Sequence, residues 1–211
     1  MSTVAKCAAA CDRNKAAILE VLKDYLPAGK PTHVLEIGSG TGVHGVHFTS
    51  ALPHVAWQPS DCDDEHLSRI VANRQANPSL SNFLPPLRVD ATSPADAWGV
   101  ARGSADLLYS SNVVHVAPWA VARGLFAGAT WALRGSGLLA MYGPFTVDGV
   151  AQPESNARFD AALRLQDPAW GLRDVRELQT LGEENGLELV SSHEMPANNK
   201  MLFFKKVADG R

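Results

Sequence analysis

VLEIGSGTG, Val34 to Gly42, joins a short apolar run to a single acid and then to glycines at positions 38, 40 and 42. An apolar run ending in glycines has the form of a first β-strand and first turn in a nucleotide-cofactor fold. Gly38 and Gly40 supply backbone conformations that a Cβ forbids, and Val43 starts a helix whose N-terminal amides point at the turn. A dinucleotide fingerprint places its third glycine three residues after the second, at position 43, but Val43 stands there and Gly42 follows Gly40 by two. That spacing argues against NAD and for S-adenosylmethionine, a ligand with a ribose diol and a methionine ammonium but no pyrophosphate. Glu36 inside the motif is expected to help the pocket take the cation, directly or through water.

Two further runs continue the pattern. Val55 to Gln58 reads as a second strand ending in Pro59, Ser60 and Asp61, and Asp61 lies 19 residues past Gly42. An acid about 20 residues beyond the glycine turn sits where a ribose hydroxyl is hydrogen-bonded. The competing reading makes Ser60 or Asp61 the cap of a helix beginning near Asp63. Pro86 to Val89 reads as a third strand leading into Asp90-Ala91-Thr92, which puts Asp90 and the neighbouring amide of Ala91 beside the adenine, or makes Asp90 a turn residue.

The chain has 211 residues, 45% of them hydrophobic, enough for one enzyme-sized domain. The expected organisation is a single domain over 1–211, with an N-terminal cover helix and linker over 1–31 and the core over 32–207. No run reaches the roughly 18 apolar residues of a membrane span, and the N-terminus lacks a secretory apolar core, so a cytoplasmic protein without membrane partners is expected. Cys7, Cys11 and Cys62 show no paired spacing, and no metal is expected. A formal net charge of −3 without a basic cluster argues against nucleic acid and for a small-molecule substrate. Oligomeric state is not legible.

Apolar residues at 18, 19, 22 and 26 make Asp12–Leu26 a helical stripe. Strands near 33–38, 55–58, 86–89, 105–110 and 137–142 then alternate with helices near 43–52, 63–76 and 118–133, which predicts a parallel sheet with right-handed crossovers. After a helix near 174–185, Leu187 to Ser191 and Lys200 to Val207 are joined by a turn-rich segment too short for a crossover, so they form an antiparallel hairpin. Gly143 to Pro153 reads as the start of a long loop carrying Asn156, Phe159 and Asp160.

Chemistry in an open parallel sheet collects at the carboxyl ends of its strands. The fourth strand runs into Ser110-Ser111-Asn112-Val113-Val114-His115, which makes Asn112 and His115 the catalytic candidates. A neutral imidazole can take a proton from an attacking oxygen, nitrogen or sulfur. A packed histidine at a helix entry is the alternative. His44 and His47, three apart without an acid or thiol partner, read as packing. Asp174 with Glu177 has capping-box spacing, leaving Arg173 free for an anion. Asn198 and Asn199 either orient a polar substrate or form a turn.

VLEIGSGTG, WQPSD at Trp57–Asp61, NVVH at Asn112–His115, YGPF at Tyr142–Phe145, WGLRD at Trp170–Asp174 and MPANNK at Met195–Lys200 together resemble a family of uncharacterised methyltransferase-like proteins. The resemblance runs from Arg13-Asn14-Lys15 to Phe203-Phe204-Lys205-Lys206. It implies an α/β, Rossmann-like class I methyltransferase fold: a seven-stranded, mostly parallel sheet with a C-terminal antiparallel hairpin and helices on both faces. It implies S-adenosylmethionine as cofactor, with S-adenosylhomocysteine as product. The expected cofactor contacts are Glu36, Gly38, Ser39, Gly40, Thr41, Asp61, Asp90, Ala91 and Asn112. Arg13, Asn14, Tyr142, Phe145, Asn156, Phe159, Arg173, Asn198 and Asn199 are the expected substrate contacts. Val43 departs from the glutamine common at that place. No Asn/Asp-Pro-Pro-Tyr loop follows the fourth strand, so a catalytically silent binding protein is the rival reading.

Overall fold

The apolar run that precedes the glycine turn is β1, Thr32–Ile37. The computed structural model describes residues 3–207, and side chains over 8–207, so Cys7 lies outside the described side chains. β1 pairs in parallel with β2 (Val55–Asp61) on one side and β4 (Ala105–Ser111) on the other. β3 (Leu87–Arg88) extends the sheet beyond β2 and β5 (Leu133–Gly143) beyond β4, both in parallel. β8 (Leu187–Met195) and β9 (Asn199–Lys206) form the hairpin, with β9 antiparallel to β5, giving the order β3-β2-β1-β4-β5-β9-β8. The strand order reverses between β1 and β4, which opens a crevice at their carboxyl ends.

Helices cover both faces. α1 (Thr3–Tyr25) and α2 (Val43–Ala51) lie on one face, where Ile18 and Leu22 pack with Phe48, Trp57, Tyr109 and Phe203. α3 (Asp64–Ala76) adds Ile70 to the same layer. On the other face α4 (Trp119–Ala132) and α6 (Val175–Glu184) bring Phe126, Ala129 and Leu178 against Leu108, Leu139 and Phe204. α4 reaches its neighbours closely through small residues. A Cβ on Gly124 would stand 1.7 Å from the Ala91 carbonyl oxygen, and one on Gly128 would stand 1.8 Å from the Trp98 ring. Among the described residues no helix is long and apolar enough to cross a membrane.

Several elements differ from the sequence reading. α1 begins at Thr3 rather than Asp12, because the alanine-rich start has high helix propensity but no apolar stripe. β2 runs on through Pro59. Trp57 and Asp61, two residues to either side, bond toward β3, so the missing N–H of Pro59 faces that side too, where no strand pairs with it. β3 is only two residues long, although the Val89 amide still reaches the Asp61 carbonyl at 3.1 Å. β5 starts four residues early: its pairing with β4 shifts between Ala105 and Leu107, and Ser136 takes a left-handed φ of 65° in the added residues. The hairpin strands use most of the segment read as turn, leaving Pro196–Asn198 for the reversal, with Ala197 and Asn198 at φ 58° and 59°.

The largest correction is the long loop. It contains α5 (Glu154–Gln166), and a two-stranded parallel pair of β6 (Phe145–Thr146) with β7 (Arg173–Asp174). Only Asn156 and Leu163 of α5 are buried, while Leu165 is 88% exposed, so the helix has no apolar stripe to read.

Candidate cofactor and acceptor site

The glycine turn is built on main-chain groups. Gly38, Gly40 and Gly42 have φ of 75°, 56° and 78°, which explains the residue type at all three. The Ser39 amide donates to the Ser60 carbonyl at 2.8 Å, the Ser60 amide returns a bond to Ser39 Oγ at 3.0 Å, and Ser60 Oγ donates to the Glu36 carbonyl at 2.6 Å. Asn73 of α3 donates to the Thr41 carbonyl at 2.7 Å. Thr41 Oγ1 is buried without a partner.

Asp61 closes the turn from β2. Its Oδ2 accepts the Gly40 amide at 2.8 Å and its Oδ1 accepts the Asp63 amide at 3.1 Å, with His66 Nδ1 at 3.3 Å. The cap of α3 is Asp63, whose carboxylate accepts the His66 amide at 3.0 Å, so neither Ser60 nor Asp61 serves as that cap. Asp90 is exposed and accepts both the amide and the hydroxyl of Thr92, at 2.8 and 2.7 Å, which holds its carboxyl below the usual range. The turn reading of Asp90 is therefore realised, with one oxygen engaged. Ala91 is buried beneath it against α4.

Glu36 stands beneath the turn rather than in it. Its carboxylate, 1% exposed, faces the α1 and α2 layer, accepts the Trp57 indole N–H at 2.8 Å and lies 3.9 Å from His44 Nδ1. The His44 ring is bonded to Asn14 Oδ1 at 2.7 Å, and burial holds its pKa down at about 3. Asn14 also acts on the Tyr142 hydroxyl of β5, partly offsetting the upward push of burial on its pKa. The expectation that Glu36 lies in the pocket is corrected by this network: a buried carboxylate needs its hydrogen bonds, and the indole supplies one on the far side of the strand. Asn14 and Tyr142 are likewise turned into it, and Arg13 is exposed on α1.

The second group of residues gathers at the ends of β4 and β5. Asn112 adopts a left-handed φ of 57°, and its amide donates to the Tyr142 carbonyl at 2.8 Å. His115 sits in the 3-10 turn Val114–Val116, 3% exposed, with Nδ1 unpartnered. Burial, with Arg173 adding to it, lowers its pKa to about 4. A Cβ built on Gly143 would stand 3.4 Å from His115 Nδ1 and 3.5 Å from Asn112 Oδ1, so the glycine leaves the space between imidazole and amide open. Phe159 of α5 meets the His115 ring edge-on at 5.7 Å and is 40% exposed.

Other expected contacts are placed differently. Phe145 is 3% exposed in the α4 and α6 core layer, where an aromatic at a strand start fills volume. Arg173 is not free for an anion: its Nε donates to the Val114 carbonyl and its Nη2 to those of Ala117 and Ala169. Asp174 caps α6 through the Arg176 amide at 2.9 Å, and also accepts the Thr146 hydroxyl and the Gly149 amide. Asn156 donates to the carbonyls of Gln152 and Asn198, both at 3.1 Å, and Asn199 donates to the Pro196 carbonyl at 3.0 Å. Asn198, 3.5 Å from Ser155, stays at the hairpin turn. Gly143 and Gly171, whose amide donates to the His115 carbonyl at 3.0 Å, were not anticipated, because their roles depend on α5 and β7. A cavity of about 570 Å³ lies away from both clusters, between α5, α6 and the 146–151 segment. Three of its acids are engaged: Asp148 with Arg176, Asp160 with Arg164, and Asp174 as cap.

Three solved structures share this architecture. An O-methyltransferase family 2 protein from Planctomyces limnophilus, in complex with apigenin, aligns with a TM-score of 0.76 at 19% identity over 97% of this chain and 62% of its own. An O-methyltransferase family protein from Burkholderia thailandensis gives 0.73 at 14% identity over 93% of this chain and 59% of its own. The pyocyanin biosynthetic protein PhzM gives 0.69 at 14% identity over 88% and 53%. The chain thus spans between about half and three-fifths of the length of these structures. At such identities the likeness establishes the fold, which is the Rossmann-like class I methyltransferase architecture. The family described as "Protein of unknown function (DUF938)" matches residues 5–206, and the chain belongs to it.

Proposed function

We propose that this chain is an S-adenosylmethionine-dependent methyltransferase acting on a small-molecule acceptor. The observation that carries the reading is the meeting, at one edge of the sheet, of the Asp61-anchored glycine turn with a buried imidazole whose Nδ1 has no partner. The residues fit the cofactor. A carboxylate has about four lone-pair sites, and Asp61 keeps capacity for a ribose hydroxyl beside its two amides and the His66 ring nitrogen. The buried Thr41 hydroxyl is a polar group in want of a partner. The main chain of Gly38 to Gly42 would hold the methionine end, and Asp90 with the Ala91 amide the adenine.

When bound, the cofactor supplies an electrophilic methyl with a sulfonium leaving group. The protein's part is to bring a nucleophile in line and to handle its proton. In the tautomer protonated at Nε2, His115 Nδ1 accepts a hydrogen bond from the attacking O–H or N–H, and Asn112 Oδ1 fixes the acceptor beside it. A histidine held at about pKa 4 stays uncharged at neutral pH, so it is always ready to accept but is a weak base. It acts chiefly by orientation, taking the proton only as the new bond forms. The neighbour solved with apigenin and the low net charge favour a small acceptor.

The rival reading, a silent cofactor-binding protein, is favoured by that same low basicity. The deciding experiment has two parts: calorimetry with S-adenosylhomocysteine, then incubation with labelled cofactor and a metabolite extract. Binding with label entering the small-molecule fraction supports the enzyme. Binding without acceptor-dependent S-adenosylhomocysteine formation leaves the silent protein, and label confined to macromolecules overturns the acceptor class.

A further inference from the structure

Arg173 is a buried cation whose cost must be met by its surroundings. Its Nε lies 2.9 Å from the Val114 carbonyl, and its Nη2 lies 2.6 Å from that of Ala117 and 2.8 Å from that of Ala169. The guanidinium also lies 5.6 Å from the Trp119 ring centre. Two of these carbonyls bracket His115 in the chain, and the His115 carbonyl itself accepts the Gly171 amide at 3.0 Å. Gly171 and Arg173, at the entry to and start of β7, therefore hold the His115 turn at three of its carbonyls. This segment is itself fixed, since Phe145 pairs with Arg173, and Leu172 donates to Asp160 of α5 at 2.7 Å.

We propose that Arg173 is a positioning residue: its forked guanidinium holds the turn between β4 and α4 so that the His115 imidazole stands over Gly143 beside Asn112. This rests on the reading of His115 as the imidazole of the acceptor site. The fork matters because its donors lie in one rigid plane aimed at separate carbonyls, which the single ammonium of lysine cannot reproduce. The charge matters separately. Arg173 faces His115 and opposes its protonation, while Arg164 and Asp160 from α5 and Glu177 from α6 act on Arg173 in turn. A lysine keeps the charge and loses the fork, and a methionine loses both.

The test uses the full chain with labelled histidine and S-adenosylhomocysteine present, following the His115 ring by NMR titration and the Gly171 amide by hydrogen exchange. In Arg173→Met the His115 proton affinity should rise about tenfold, one unit in midpoint, and Gly171 exchange should quicken by about tenfold or more. Arg173→Lys should titrate like the parent but exchange like the methionine variant. A folded Arg173→Met with unchanged titration and exchange overturns the proposal, as does a general loss of melting temperature with the His115 midpoint unmoved. If Arg173→Met does not fold, parent-like Gly171 exchange in Arg173→Lys overturns it alone. Failure of the methyltransferase reading appears elsewhere, as absence of S-adenosylhomocysteine binding by the parent protein in calorimetry, and leaves the NMR readouts intact.

Discussion

The glycine turn and the His115 cluster, the proposed cofactor and acceptor halves, lie at the same carboxyl end of the sheet but are assembled in opposite ways. Between Glu36 and Asp61 each bond that holds the glycine turn has a main-chain group on at least one side and runs between two adjacent strands and the loops that end them. His115, by contrast, is framed by Asn112, Gly143, Phe159, Gly171 and Arg173, which come from four separate stretches of chain. The first arrangement follows from a short pattern of residue types. The second exists only once α5 and β7 have docked.

This contrast breaks most sharply if His115 proves dispensable. With the true acceptor and saturating cofactor, His115→Ala should lower turnover by roughly 10²-fold, the low end for a proton-accepting side chain, while S-adenosylhomocysteine affinity stays unchanged. No histidine limb should be visible near pH 6.5 in the parent; the activity loss belongs near pH 4. Parent-like turnover in the variant would reduce the acceptor half to proximity alone.

The matching test of the other half is Asp61→Ala. Losing the carboxylate should weaken S-adenosylhomocysteine binding by about 1–3 kcal/mol and leave the His115 ring signals in place. Unchanged affinity in a folded variant would reassign Asp61 to holding Gly40 only.

The parallel strands, the C-terminal hairpin and the glycine turn were legible because each depends on local chemistry: apolar runs of strand length, a connection too short for a crossover, glycines where φ is positive. Asp174 carried its capping role in its spacing with Glu177. Phe145 and Arg173 did not. Both sit next to a loop signal and look available, and only the pairing of β6 with β7 turns one into the core and the other onto carbonyls. Glu36 misled for a related reason, since the alternation of β1 sends its side chain to the α1 and α2 face, toward an indole 21 residues away.

Each half holds one buried neutral histidine, His44 beneath the turn and His115 in the acceptor site, with pKa values held at about 3 and about 4. Both lie below the unfolded value near 6.5, so the unfolded chain takes up protons first as pH falls. Stability should therefore be full above about pH 6.5 and drop below it, by up to about 1.4 kcal/mol per pH unit for each histidine, until the folded values are reached. Chemical denaturation at a series of pH values measures the slope. His44→Gln and His115→Gln should each remove about one histidine's share, and an unchanged slope in either variant would show that its ring does not stay neutral in the fold.

The smallest effect separates two residues of α5, the helix whose pattern was silent. Asn156 is buried, and its side-chain amide ties α5 to the residues before it and to the β8–β9 turn. Asn156→Ala should cost about 1 kcal/mol, because both carbonyls lose a donor although water can reach part of the site. Leu165 is 88% exposed on the same helix, and Leu165→Gln should change stability by less than about 0.5 kcal/mol. Urea midpoints at equal slope compare them directly. If Leu165→Gln is the more damaging of the two, the exposed leucine has a partner in solution, and the silence of this helix reflects a missing surface rather than a weak amphipathic stripe.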